Sequence, residues 1–198
     1  MLTCAYTFDK ARVVVEEMAD AISLELVEKR LVADQMVLNV GYDMDSLSNP
    51  AIRANYYGEI TTDHYGRSVP KSAHGTANLP GLTSSAHIMS EAILALYDKI
   101  VNPNLLIRRL SISTNHVVRE LAVDLVTQPM QLDLFSDYES QVAERNRKTQ
   151  LLARERKMQE AIISIKKRYG KNAVLKGLNY ADGATAKERN QQIGGHKA

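Results

Sequence analysis

Five consecutive residues, Gln131-Leu132-Asp133-Leu134-Phe135, carry the most pointed chemistry in this sequence. An amide followed by three apolar side chains, in a stretch led by Pro129, suits a short peptide that inserts Leu134 and Phe135 into a partner's pocket while Gln131 hydrogen-bonds at its rim. A buried pair is the blander reading, but a Pro-led linker without sustained period is a poor place to bury two large side chains. Catalysis has much less to work with. Two-metal chemistry needs carboxylates converging on ions about 4 Å apart. The close pair Asp43 and Asp45 follows a strand pattern and reads as turn residues bonding their own backbone. His64, His74, His87 and His116 fall on separate elements without a nucleophile beside them, and Cys4 lacks a base. That single cysteine and the five scattered histidines have no zinc-ligand spacing. Gly194-Gly195 follows no strand and opens no helix, so it is no phosphate loop.

Binding chemistry is better supplied. Arg108 and Arg109 are adjacent in a strand-like stretch, where two guanidinium groups are hard to bury and useful against a phosphate. Arg30, Lys71, His74, Thr76 and Asn78 add cations and hydrogen-bonding groups near other strand patterns, with Lys29 and Arg67 beside them. Each of these residues is equally compatible with a solvated surface. Charge is divided along the chain: residues 1–135 hold 11 Lys and Arg against 16 Asp and Glu, and residues 136–198 hold 14 against 7. The overall balance of +2 therefore conceals an acidic body and a basic end, which suits a polyanionic partner.

These residues must be positioned by a small α+β unit. Phe8, Ala11, Val15, Met18, Ile22 and Leu26 recur at helical steps after Thr7, predicting a helix that ends near Leu31. The period then changes to two, with Met36, Leu38, Val40 and Tyr42 on one face of a strand. Residues 44–72 hold Pro50, Gly58, Gly66 and Pro70, and Glu59 to Asp63 before His64-Tyr65-Gly66-Arg67 predicts a small excursion hairpin. A strand over His74–Leu79 follows, then a helix capped by Thr83 or Ser84 and carrying Ile88, Ala92, Ile93, Leu96 and Ile100. Leu105–Asn115 is a third strand whose inward phase slips between Ile107 and Leu110, predicting a bulge at Arg108-Arg109. With Met1–Tyr6 as a clipped leading strand, the order is that of a split βαβ fold: an antiparallel sheet with two helices on one face and the other face bare.

Residues 1–120 form this domain, 121–136 a linker with the docking peptide, 137–170 a basic amphipathic helix striped by Leu151, Met158, Ile162, Ile165 and Tyr169, and 171–198 a polar tail. The tail, rich in glycine and polar residues, is expected to be partly disordered unless a partner orders it. The composition, 44% hydrophobic and 24% charged, is that of a globular protein, and no apolar run approaches the ~20 residues of a bilayer span. No basic start precedes an apolar secretory stretch, so a cytoplasmic location and no membrane partner are expected.

Several segments together resemble the C-terminal part of UmuC-like, ImpB/MucB/SamB-type Y-family translesion DNA polymerases. They are the run Leu31 to Asp43, Thr62-Asp63-His64-Tyr65-Gly66, His74-Gly75-Thr76-Ala77-Asn78-Leu79, Arg108-Arg109-Leu110 with Asn115-His116-Val117, and the closing Gly183 to Asn190 and Ile193 to Lys197. The pentapeptide Gln131 to Phe135 matches the one by which bacterial replication and repair proteins bind the sliding clamp. The resemblance implies a little finger domain that lays its sheet against duplex or primer-template DNA, with Arg108, Arg109, Lys71, His74, Thr76, Asn78 and Arg30 as candidate DNA contacts. It implies clamp docking through Gln131, Leu132, Asp133, Leu134 and Phe135, in the service of DNA damage tolerance. The family's palm domain, with its Asp-x-Asn-x-Phe-Phe and Ser-x-Asp-Glu motifs and its magnesium ions, has no counterpart in this sequence. No cofactor and no polymerase activity are therefore expected of this chain alone. Two other readings stay open: half of a split polymerase that joins a separate catalytic domain, and a stand-alone regulator that competes for the clamp.

Overall fold

The computed structural model describes residues 2–121, 138–193, 196 and 197. Helix α1 (Phe8–Lys29) leads through Arg30, in the left-handed region at φ 53°, directly into the long strand β1 (Leu31–Tyr42). Two short helices, α2 (Asp45–Ser48) and α3 (Pro50–Arg53), precede the hairpin of β2 (Ile60–Thr62) and β3 (Ser68–Pro70). Strand β4 (Ala73–Thr83), helix α4 (Ala86–Ile100), β5 (Ile107–Asn115) and the two-residue β6 (Val118–Arg119) complete the body. The long helix α5 (Tyr138–Tyr169), a 3-10 turn at Gly177–Tyr180, helix α6 (Ala186–Arg189) and the strands β7 (Gln192–Ile193) and β8 (His196–Lys197) follow.

The sheet is antiparallel in the order β4-β1-β5. Tyr6 forms an isolated bridge with Ile107 on the outer side of β5, and Leu2 N–H donates to the Arg108 carbonyl at 3.0 Å, so the leading segment lies at that edge without forming the strand expected of it. The leading segment and β1 are thus separated by β5, and β4 and β5 by β1, which gives two interlocked split βαβ units. Gly41 pairs with Arg109 while Tyr42 pairs with Ile107, leaving Arg108 as the extra residue of a bulge where the strand phase slips. A second irregularity opposite Asp34 accommodates Pro80 in the edge strand, a position where its missing N–H costs little. Strand β4 therefore runs beyond Leu79 to Thr83, and the cap of α4 is Ser85, whose hydroxyl accepts from Ile88 N–H.

Met36, Leu38, Val40 and Tyr42 are buried under α1 and α4 together with Val14, Val15, Met89, Ile93, Tyr97 and Ile107. The two helices are tied to each other by polar groups as well as apolar packing. The Tyr97 hydroxyl donates to the Phe8 carbonyl at 2.8 Å with the two rings 4.8 Å apart, and Arg12 grips Asp98 through two N–H donors. Burial raises the Tyr97 phenol above its ordinary pKa, so it remains a donor throughout the neutral range.

Helix α5 packs on α1, although not by the apolar stripe that its sequence suggests. Leu151, Met158, Ile165 and Tyr169 are exposed while Ile162 is half-buried, and the docking face centres on Glu155, Arg156 and the buried Gln159. Glu155 accepts from the Ser85 hydroxyl and from His87 N–H, Arg156 reaches Ser84 and Glu120, and Gln159 donates to the Ser84 carbonyl. The surface offered to α5 is a helix N-terminus rich in serine, so polar side chains face it. Of the tail over 171–198, expected to be partly disordered unless a partner orders it, residues 176–189 pack on α1. Glu17, buried on that helix, accepts from Asn179, Thr185, Ala186 and Arg189, while Lys176 pairs with Asp20 and Lys10 with Asp182. Gly183, at φ 91°, lets this segment approach so closely that an added Cβ would lie 2.9 Å from the Lys10 Cα. Among the described residues, no helix is long and apolar enough to cross a membrane.

Candidate nucleic-acid interface

Strand alternation places Gln35, Val37, Asn39 and Gly41 of β1 on the face away from α1 and α4. Register aligns three rows across it: Asn78-Gln35-Asn115, Thr76-Val37-Ser113 and His74-Asn39-Ser111, with Arg109 beside Gly41 at the end. The first row is a closed amide ladder, in which Gln35 donates to Asn78 and accepts from Asn115, each at 2.9 Å. Apart from Val37, every side chain in these rows is a hydroxyl, an amide or an imidazole. Such side chains can donate hydrogen bonds to the oxygens of a ligand, and none of the three rows carries a carboxylate.

Arginines gather where β1 ends. Arg109 is exposed and has no ion-pair partner among the described residues. Arg108, half-buried in the bulge, stands 3.7 Å from Asp43 and retains donors for another anion. Gly41 matters here because a Cβ on it would lie 3.2 Å from the Arg109 Cβ, crowding the arginine against the sheet. Lys71 is held by Glu59 at 2.7 Å, an exposed pair that partly cancels its charge. Arg30 sits at the opposite end of β1, about 35 Å away at a strand rise of ~3.3 Å per residue.

The open face therefore collects His74, Thr76, Asn78 and Arg109. It leaves Lys71 and Arg30 outside. Lys166, Lys167 and Arg168 belong to α5, which packs on α1 on the helical side of the sheet, and Lys167 is paired there with Glu28 at 2.9 Å. Gln131, Leu132, Asp133, Leu134 and Phe135 lie outside the described residues.

The β2–β3 hairpin stands beside the arginine end of the face and closes a groove of about 230 Å³ whose lining includes Thr61, Thr62, Asp63, Tyr65, Arg67, Arg108 and Arg109. Its turn is built by Asp63, whose carboxylate accepts from the backbone N–H groups of Tyr65 and Arg67 and from two Arg67 side-chain donors. The Arg67 side chain, above all, and then its backbone N–H hold the Asp63 carboxyl below its ordinary pKa. Arg67 in turn lies 5.0 Å over the Tyr65 ring, which is two-thirds exposed. Sequence reasoning placed the hairpin but not this cluster, whose signal was the Asp63-x-Tyr65-Gly66-Arg67 spacing of a side-chain-closed turn.

Asp43 behaves as the turn residue expected, whereas Asp45 opens α2. The Asp43 carboxylate accepts from Asp45 N–H at 3.0 Å, and its neighbour across the bulge is Arg108. Among the described residues, no group of three His, Cys, Asp or Glu side chains is placed to hold a metal ion. The His116 ring meets Asp34 at 2.8 Å in the sharp turn between β5 and β6, where His116 has φ 52°. No protein-family model and no curated protein matches this chain.

Proposed function

We propose that this chain is a DNA-binding and sliding-clamp-binding region of the kind found at the C-terminal end of Y-family translesion polymerases. The observation that carries the DNA half is the open sheet face: three aligned rows of hydroxyl, amide and imidazole side chains around Val37, with no carboxylate in them, ending in Arg109, which has no ion-pair partner among the described residues. Contacts of this type grip the backbone of a duplex without reading its bases, which suits an enzyme that must tolerate damaged templates. The clamp half rests on the sequence of Gln131 to Phe135. A weak hold on DNA and a second hold on a ring encircling it multiply, because the first raises the effective concentration for the other. On this reading, catalytic carboxylates and magnesium would be supplied by a separate palm domain.

The test of the clamp half is retention on an immobilised bacterial sliding clamp. Leu134→Ala with Phe135→Ala abolishes retention while leaving affinity for blunt duplex DNA unchanged; equal retention of the double variant and the parent chain refutes the assignment.

A further inference from the structure

We propose that the groove between the β2–β3 hairpin and the arginine end of the sheet is a binding site for one unpaired nucleotide, its base stacked on Tyr65 and its phosphate held by Arg109. The inference rests on the reading of the open face as a DNA interface and adds a site for a nucleotide that has left the duplex.

Tyr65 is the reason to look there. Its ring contributes nothing to the core, yet it is not loose: Arg67 covers one face at 5.0 Å, His64 meets it edge-on with centroids 5.5 Å apart, and Arg67 is itself clamped by Asp63 through two donors. The ring is thus ordered before any ligand arrives while it remains 68% exposed, which removes much of the entropic cost of stacking on it. Arg67 is committed to Asp63 and acts as a prop. The free charge is supplied from the other wall, where Arg109 lacks an ion-pair partner among the described residues and Arg108 holds Asp43 only loosely. Thr61 and Thr62 also line the groove.

An ordered aromatic ring, an uncommitted guanidinium and nearby threonines are the components with which proteins hold single-stranded nucleic acid. The groove is open and continues into the sheet face, so a nucleotide attached to a longer strand can enter it without threading. That continuity favours nucleic acid over an acidic peptide, the other ligand that combines a flat group with negative charge.

Fluorescence anisotropy of the full chain with labelled oligothymidylate and with a blunt hairpin duplex tests the site. Tyr65→Ala weakens oligothymidylate binding about tenfold and Tyr65→Phe about twofold or less, while both leave the blunt duplex unaffected. Arg109→Ala weakens both ligands. In the parent chain the Tyr65 ring protons shift on addition of oligothymidylate, a readout that needs no variant. Undiminished oligothymidylate binding by Tyr65→Ala, equal losses for both ligands, or equal competition by an acidic tyrosine-containing peptide overturns the proposal. Tyr65-dependent oligothymidylate binding without any duplex binding supports the groove and overturns the duplex reading of the open face.

Discussion

Glu17 Oε2 accepts hydrogen bonds from the backbone N–H groups of Thr185 and Ala186 at 2.8 and 2.9 Å, so a buried carboxylate of the first helix receives the start of α6 from the far end of the chain. Asn179 and Arg189 complete the shell. Replacing this carboxylate strands several donors at once, and Glu17→Ala lowers global stability by about 3 kcal/mol in urea denaturation. Limited proteolysis of that variant cuts first within residues 171–192. Unchanged stability together with an uncut tail contradicts the clasp.

Arg109 and Lys71 are both exposed cations, but they differ in commitment, since Lys71 is paired with Glu59 and Arg109 is not ion-paired among the described residues. Arg109→Ala weakens blunt-duplex binding about fivefold at low salt and reduces the slope of log affinity against log salt by about 1. Lys71→Ala changes affinity by less than about twofold. Anisotropy titrations at several salt concentrations check both, and a larger loss at Lys71 than at Arg109 contradicts the assignment.

Asp63 gives the hairpin a defined acid response. Its folded pKa is depressed by Arg67, so its stabilisation is complete above the ordinary carboxylate value of about 4 and is lost as pH falls through the lower folded value. Amide resonances of Tyr65 and Arg67 therefore hold their hydrogen-bonded positions at mildly acidic pH and move as the pH falls below the ordinary carboxylate value. In Asp63→Asn they do not titrate. Matching acid titrations of the variant and the parent chain contradict the turn geometry.

Much of this architecture is legible in the sequence, for a physical reason: burial on one face of a strand imposes a period that neighbouring residues share. Met36, Leu38, Val40 and Tyr42 announced the inner face of β1, and the phase slip at Arg108 announced the bulge. The docking of the tail was not legible. Glu17 and Ser23 lie off the stripe of Ala11, Val15 and Leu26, and they are buried because α5 and the tail cover them. Helix α5 misleads in the opposite sense, since its contact face recognises serine hydroxyls and free backbone groups and leaves Met158 and Ile165 outside. The Tyr65 groove escapes for a related reason: a hairpin folding beside a bulge leaves no period.

Tyr97 tests the coupling of the helical layer. Tyr97→Phe removes its hydrogen bond and leaves the Phe8 carbonyl without that donor, costing about 1–2 kcal/mol in urea denaturation. Met36→Ala, which empties a fully buried site under both helices, costs about 3 kcal/mol. A smaller loss at Met36 than at Tyr97 contradicts the placement of the core.

The open face is examined most directly by following backbone amide resonances of the isotopically labelled full chain as a blunt DNA duplex is added. Binding through this face moves Asn39, Thr76, Ser111, Ser113 and Arg109 together and leaves α4 and α5 in place. Saturation that moves only Lys166 to Arg168 and the helical side, with those five resonances unchanged, contradicts it.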